Sequence, residues 1–128
     1  MRKLLYNYKR NCNRVRSLKE RIEYLRTQAE KITPTLSDDK GMGSHDSSSR
    51  VEENVIKIIE LERQLKITED RVNKCDDFLE NLKPYQRYII TNCIVNHIPY
   101  AVIAKRENTT PQNVSKIVNK AIKEKPLE

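Results

Sequence analysis

The fold of the C-terminal region is decided by residues 98–122, which read IPYAVIAKRENTTPQNVSKIVNKAI. Pro99 stands near the start of a helix of about two turns, and Thr110 is placed as the N-cap of a second helix. Asn108 lies in the short turn between them, where a positive φ is required and Asn tolerates it better than most residues. Two short helices joined by such a turn form the plan of a helix-turn-helix.

The second of these helices has an apolar face and a polar face. The inward residues predicted to fix the crossing angle of the two helices are Ile103 of the first helix and Val114 and Ile117 of the second. On the polar face, amide side chains can pair with adenine, and lysines can bind guanine or phosphate. The predicted DNA-contacting residues are Thr110, Gln112, Asn113, Ser115, Lys116, Asn119, Lys120 and Lys123.

A further short helix is expected immediately upstream of this pair. Pro84 suits the first position of a helix, and the apolar residues Ile89, Ile90 and Ile94 follow it as a stripe. We therefore predict a three-helix DNA-binding module over residues 83–125.

Two long helices are expected before the module. Apolar residues at alternating spacings of three and four run through residues 1–33 and again through residues 51–82. This is the heptad pattern of coiled-coil helices, and folding the chain back matches the two stripes in antiparallel order, with Leu25 opposite Ile58. The predicted fold is therefore all-α, with a long antiparallel helical hairpin followed by the three-helix module.

The two stripes are separated by residues 34–50, which contain Pro34, both glycines of the chain and three consecutive serines. Proline disfavours helix at the preceding residue, and Gly and Ser supply little to pack. We predict a flexible Ser/Gly linker here, inside a hairpin domain that covers residues 1–82.

Several apolar residues lie off the two stripes. A hairpin buries only one seam, so we expect these residues to pack against a second copy of the chain in a homodimer or higher homo-oligomer. Exposure of single residues or cover for the linker is the alternative. The off-stripe residues are Leu5, Tyr24, Val55, Ile56, Ile59, Ile67 and Phe78.

The formal net charge is +7, and it is distributed unevenly. Residues 1–33 contain ten Lys or Arg and three Asp or Glu, whereas residues 51–82 contain five and nine. The basic helix is thus expected to lie along the acidic one. Residues 83–128 contain eight basic and three acidic residues, which favours a polyanionic partner for the module.

The composition excludes several classes of function. The two glycines, Gly41 and Gly43, cannot build a Gly-rich phosphate loop, and the three Cys and two His show no zinc-site spacing. No window approaches the ~20 apolar residues of a membrane span. We expect a cytoplasmic, DNA-associated protein that is not an enzyme, with no catalytic residues, no metal and no cofactor.

Three short motifs of the module carry a family resemblance: Leu82-x-Pro84-x-x-Arg87, Pro99-Tyr100-x-x-Ile103-Ala104 and Thr110-Pro111-x-x-Val114-x-x-Ile117. They resemble region 4 of sigma-factor-type regulators. The whole chain resembles the small phage late-gene transcription activators of the ArpU/RinA type. The resemblance implies binding near promoters, with the last helix in the major groove, and contact with host RNA polymerase.

These observations predict a sequence-specific double-stranded DNA-binding transcription regulator. Two alternatives stay open from the sequence. The hairpin could make the chain a coiled-coil protein-interaction module, with the terminal helices serving only to cap it. A DNA-recognition protein like a small terminase subunit also combines such a module with an oligomerising helical part, and it would form a ring-sized oligomer.

Overall fold

The computed structural model describes residues 1–38 and 44–124, with side chains described for residues 1–29 and 51–123. The described residues are all-α and contain no strand, which confirms the predicted fold class. The helices are α1 (Arg2–Tyr6), α2 (Tyr8–Asp38), α3 (Ser44–Glu80), α4 (Pro84–Ile90), α5 (Tyr100–Arg106) and α6 (Pro111–Glu124). A π-helical turn, Thr91–Val95, continues α4.

The long helices extend into the segment predicted as a linker. Helix α2 continues past Pro34 to Asp38, and α3 begins at Ser44, so the prediction of a linker over residues 34–50 was too long at both ends. A proline inside a helix removes one backbone hydrogen bond, whereas each added residue of a long helix contributes another. The remaining residues of the predicted linker, 39–43, lie outside the described part of the chain.

The chain divides into two compact units that do not follow the predicted boundary between residues 82 and 83. The first unit comprises Met1–Cys12 and Asp70–Glu128, and the second unit comprises Asn13–Glu69. These units differ from the predicted domains 1–82 and 83–125, which stay a prediction. The physical reason for the difference is that the ends of both long helices are buried in one core with the three-helix module.

Two residues that lie off the predicted stripes, Leu5 and Phe78, belong to this shared core. They are not available to a second copy of the chain, so the expectation of intermolecular packing was wrong for both. Helix α1 contacts the π-helical turn, which brings Leu5 onto the module. The buried core of the first unit consists of Leu5, Cys75, Phe78, Leu82, Ile89, Ile90, Cys93, Ile94, Val95, Ile103, Ala104, Val114, Val118 and Ala121.

Arg87 ties the end of α3 to α4. Its side chain donates hydrogen bonds to the main-chain oxygens of Leu79 at 2.8 Å and Glu80 at 3.0 Å. The last carbonyls of a helix lack partners within the helix, and a basic side chain there satisfies them. This contact fixes how the chain leaves α3 and enters the module.

The second unit contains α2 from Asn13 onward and α3 as far as Glu69. Leu18, Ile22 and Leu25 of the predicted stripe are buried. Ion pairs join Lys19 to Glu69 at 3.5 Å and Arg26 to Glu62 at 3.1 Å. The partner residue on α3 comes earlier as the residue on α2 comes later, which is the order expected of antiparallel helices. The basic helix does lie along the acidic one here, although such exposed pairs each contribute only up to about 1 kcal/mol.

Candidate nucleic-acid interface

Helices α5 and α6 are joined by a turn with the positive φ and the helix N-cap that the sequence predicts. Asn108 has φ 54°, which confirms the expected positive φ. The hydroxyl oxygen of Thr110 accepts a hydrogen bond from the main-chain N–H of Asn113 at 3.1 Å, so Thr110 is the N-cap of α6. The N–H of Thr109 donates to the main-chain oxygen of Ala104 at 2.9 Å, which closes the end of α5.

The inward faces of α5 and α6 hold the two helices against the rest of the first unit. Ile103 and Val114 are fully buried, as predicted, and Ala104 is buried as well. Ile117 is only half-buried, and Val118 is the fully buried residue one turn after Val114. The position of α6 is thus set by a rigid core, which is what a side-chain recognition surface requires.

The opposite face of α6 is polar and mostly accessible. Seven of the eight predicted DNA-contacting side chains are exposed, namely Thr110, Gln112, Asn113, Lys116, Asn119, Lys120 and Lys123, whereas Ser115 is half-buried. The predicted residues therefore share one helix, and their accessible members form a polar surface with three lysines. We call this set of eight residues the α6 face.

Two asparagines of the α6 face already have side-chain partners. The Nδ2 group of Asn113 donates to the hydroxyl oxygen of Thr109 at 2.9 Å. The Nδ2 group of Asn119 donates to the hydroxyl oxygen of Ser115 at 3.4 Å. Two-point recognition of adenine needs both the oxygen and the nitrogen of an amide. Gln112 and Lys116 are the exposed members near the start of α6 that lack such a local bond.

One residue near the α6 face was not predicted from the sequence. Arg2 of α1 donates hydrogen bonds to the hydroxyl oxygen of Tyr100 at 3.2 Å and to Oδ1 of Asn119. Arg2 is separated from both partners by most of the length of the chain. No periodicity in the sequence indicates such a contact. The observable signal was compositional: the first helix begins with Arg2 and Lys3, the charge expected of a phosphate-binding segment.

A shallow groove of about 470 Å³ lies between α1 and the start of α5. Within it the rings of Tyr6 and His97 meet edge to face, with centroids 4.1 Å apart. His97 has φ 59°, so it ends the π-helical turn in the left-handed region. The lining residues are Arg2, Tyr6, Cys93, Ile94, His97, Ile98, Pro99 and Tyr100.

The cysteines have the character of core residues. Cys75 and Cys93 are buried and Cys12 is half-buried, and none of the three forms a disulfide. Burial, with a smaller contribution from the Asp76 carboxylate, raises the pKa of the Cys75 thiol to about 11. Burial likewise raises the pKa of Cys93. Both thiols therefore keep their protons near neutral pH and are poor nucleophiles there.

Within residues 1–29 and 51–123, whose side chains the structure describes, no group of three His, Cys, Asp or Glu side chains could hold a metal ion. No helix in the part of the chain that the structure describes is long and apolar enough to cross a membrane.

Comparisons with known proteins add no relatives. No family model, no curated protein and no solved structure matches this chain.

Proposed function

We propose that this protein is a sequence-specific double-stranded DNA-binding transcription regulator. The observation that carries the proposal is the α6 face, a capped helix with an exposed polar and basic surface. A turn with Asn108 at positive φ sets it against α5. Helix pairs of this kind place the second helix in the major groove, where base edges are readable.

The side-chain chemistry suggests a division of roles along α6. Gln112 and Lys116, near its N-terminal end, are the members best suited to base edges. Lys120 and Lys123 follow at the spacing of one helical turn and suit the phosphate backbone. Asn113 contributes less to base reading than the sequence predicts, because its amide is bonded within the turn.

The regulatory role draws on the resemblance to phage late-gene activators. We propose that the protein acts near promoters together with host RNA polymerase. Self-association would place two copies of α6 on half-sites separated by whole helical turns. The second unit is the proposed contact between copies, because its off-stripe residues Tyr24, Val55, Ile56, Ile59 and Ile67 are exposed.

The test is a salt series of binding to duplex DNA, with purified protein of measured oligomeric state. We expect affinity to fall steeply with salt. We also expect the native segment upstream of the regulated genes to bind at least ~1000-fold more tightly than random duplex. Weak binding that does not distinguish the two DNAs would contradict the proposal.

A charge reversal on α6 locates the interface. The double variant Lys116→Glu, Lys120→Glu should lose duplex binding while keeping its helical circular dichroism spectrum. The matched control is Arg71→Glu, Lys74→Glu, which changes the net charge equally at exposed positions of α3 outside both the α6 face and the proposed contact between copies. Equal loss in both variants would assign the binding to net charge alone rather than to the α6 face.

A protein-interaction module is the second candidate, and the exposed apolar residues of the second unit favour it. If the protein is such a module, the double variant Lys116→Glu, Lys120→Glu keeps full binding to the protein partner, and the wild type binds duplex DNA weakly. A ring-sized oligomer in sedimentation would favour the small-terminase-like alternative over a dimeric regulator.

A further inference from the structure

The basic end of α1 lies against the α6 face. Nη1 of Arg2 donates to the hydroxyl oxygen of Tyr100 at 3.2 Å, and Nη2 donates to Oδ1 of Asn119. A guanidinium has five N–H donors, and these two bonds use two of them. Arg2 is exposed, so the remaining donors are accessible to a ligand from solvent.

We propose that Arg2 is part of the DNA-contacting surface and binds a backbone phosphate beside the groove that α6 occupies. This inference rests on the proposed function, since it adds a contact to the same interface. The planar guanidinium fork matches two oxygens of one phosphate. Tyr100 and Asn119 hold the fork in place, so binding costs less side-chain entropy than it would for a free arginine.

The same contact gives Asn119 a different role from the one predicted from the sequence. Its Oδ1 accepts from Arg2 and its Nδ2 donates to Ser115, so both atoms needed for adenine recognition already have a partner within the protein. Asn119 is a positioning residue that directs Arg2, and it does not read bases. The interface therefore joins residues from both ends of the chain.

The charge around this contact suits a phosphate. Asn119 lies one turn from Lys116 and next to Lys120 on α6, and Lys3 follows Arg2 on α1. Among the residues whose side chains the structure describes, no acidic side chain is paired with Arg2. A carboxylate partner would neutralise the guanidinium, whereas hydroxyl and amide oxygens leave its full positive charge for an anion.

The experiment separates charge from packing with two substitutions in the full-length chain. Arg2→Gln removes the charge and keeps a side chain that can donate to Asn119. Arg2→Lys keeps the charge and loses the planar fork. Arg71→Gln is the matched control, because Arg71 is an exposed arginine of the same unit on α3. Each protein is titrated with random duplex and with native upstream duplex over a salt series.

We expect Arg2→Gln to weaken both duplexes about tenfold and to reduce the slope of log affinity against log salt by about 0.9, the value of one phosphate contact. Arg2→Lys should keep the wild-type slope with a smaller loss of affinity. Arg71→Gln should bind as the wild type does. Melting temperatures of all four proteins exclude unfolding as the cause.

The possible failures are distinguishable. If wild-type protein binds and Lys116→Glu, Lys120→Glu abolishes binding, an unchanged slope in Arg2→Gln overturns the Arg2 inference alone. A lower melting temperature with an unchanged slope also overturns it, because Arg2 would then only anchor α1. If wild-type protein binds no duplex, the proposed function and the inference fail together.

Discussion

The two units of this chain use the same kind of helix but bury it differently. The first unit closes a core with residues from Leu5 near one end to Ala121 near the other. The second unit buries a single stripe, including Leu18, Ile22 and Leu25, and leaves Ile56 and Ile59 more than half exposed. The first unit is therefore built to hold side chains in fixed positions, and the second retains apolar surface that a partner could cover.

The difference shows what a heptad stripe does and does not determine. A stripe fixes which face of a helix turns inward, because the spacing is local. It does not fix what covers that face. Along α2 and α3 the covering element changes from the opposite helix alone to the opposite helix together with the three-helix module. The proposed function draws on both features, the fixed position of α6 and the exposed apolar side chains of the second unit.

The largest expected effect separates the cores of the two units. Leu5→Ala removes a fully buried side chain from the first unit and should cost about 2–5 kcal/mol. Leu61→Ala removes a half-buried side chain from the second unit and should cost ~1–2 kcal/mol. Urea denaturation followed by circular dichroism measures both. Equal losses would mean that the second unit is as tightly packed as the first.

Hydrogen exchange sharpens the same comparison. Leu5→Ala should speed hydrogen exchange of the backbone amides of α6, since Leu5 of α1 and the buried residues of α6 belong to one core. Leu61→Ala should leave those amides at the wild-type rate. Unchanged α6 protection in Leu5→Ala would mean that residues 1–12 do not stabilise the module.

The next effect tests the exposed residues of the second unit. Ile56→Ser with Ile59→Ser should raise the dissociation constant of the proposed homo-oligomer by at least about a hundredfold, because each isoleucine buried in the contact would contribute roughly 1.5–3 kcal/mol. Sedimentation at several concentrations measures the change. Val102→Ser is the control, an exposed apolar residue of the first unit. An unchanged mass in the double variant would remove these residues from the proposed contact.

The closed core of the first unit should also show in the pH dependence of stability. An unfolded thiol titrates near pH 8.5, whereas burial raises the pKa of Cys75 to about 11. Between these values the folded state holds a proton that the unfolded state has lost, so stability falls as pH rises through this window. The loss should be smaller in Cys75→Val, which has no thiol to titrate.

The wild type and Cys75→Val share the other groups that titrate at high pH. Among these is Tyr8, whose pKa is raised by its hydrogen bond to Asp76 at 2.6 Å. The difference between the two free energies of unfolding therefore reports Cys75. Parallel curves from pH 8 to pH 11 would show that the Cys75 environment is more hydrated than the structure indicates.

Local chemistry was readable from the sequence, and long-range packing was not. The turn at Asn108, the cap at Thr110 and the inward Ile103 were all predicted from residue type and spacing, and the structure confirms each. The burial of Leu5 and Phe78 in the module was missed. Both residues lie off the heptad stripes. Their position indicated that a further surface covers them, but it did not identify that surface.

The contact between Arg2 and Asn119 was missed for the same reason. Arg2 and Asn119 are polar and suit the exposed faces of their own helices. The sequence therefore favours a solvent-exposed position without a long-range partner for each. Only the packing of α1 onto the module brings them together. The spacing also gives no sign of where the two compact units divide, because an unbroken helix pattern hides the point at which a helix changes its neighbours.

The smallest expected effect lies in the turn that orients the α6 face. Asn108 has φ 54°, a region that costs most residues roughly 1–2 kcal/mol and Gly almost nothing. Asn108→Ala should therefore destabilise the first unit by about 1 kcal/mol, and Asn108→Gly should match or slightly exceed the wild type. Under the proposed function, both variants should bind duplex DNA as the wild type does in conditions where they are fully folded, because Asn108 would orient α6 without contacting DNA. If Asn108→Gly instead keeps its stability and loses sequence discrimination, the Asn108 side chain contacts the DNA, and the interface extends from α6 into the turn.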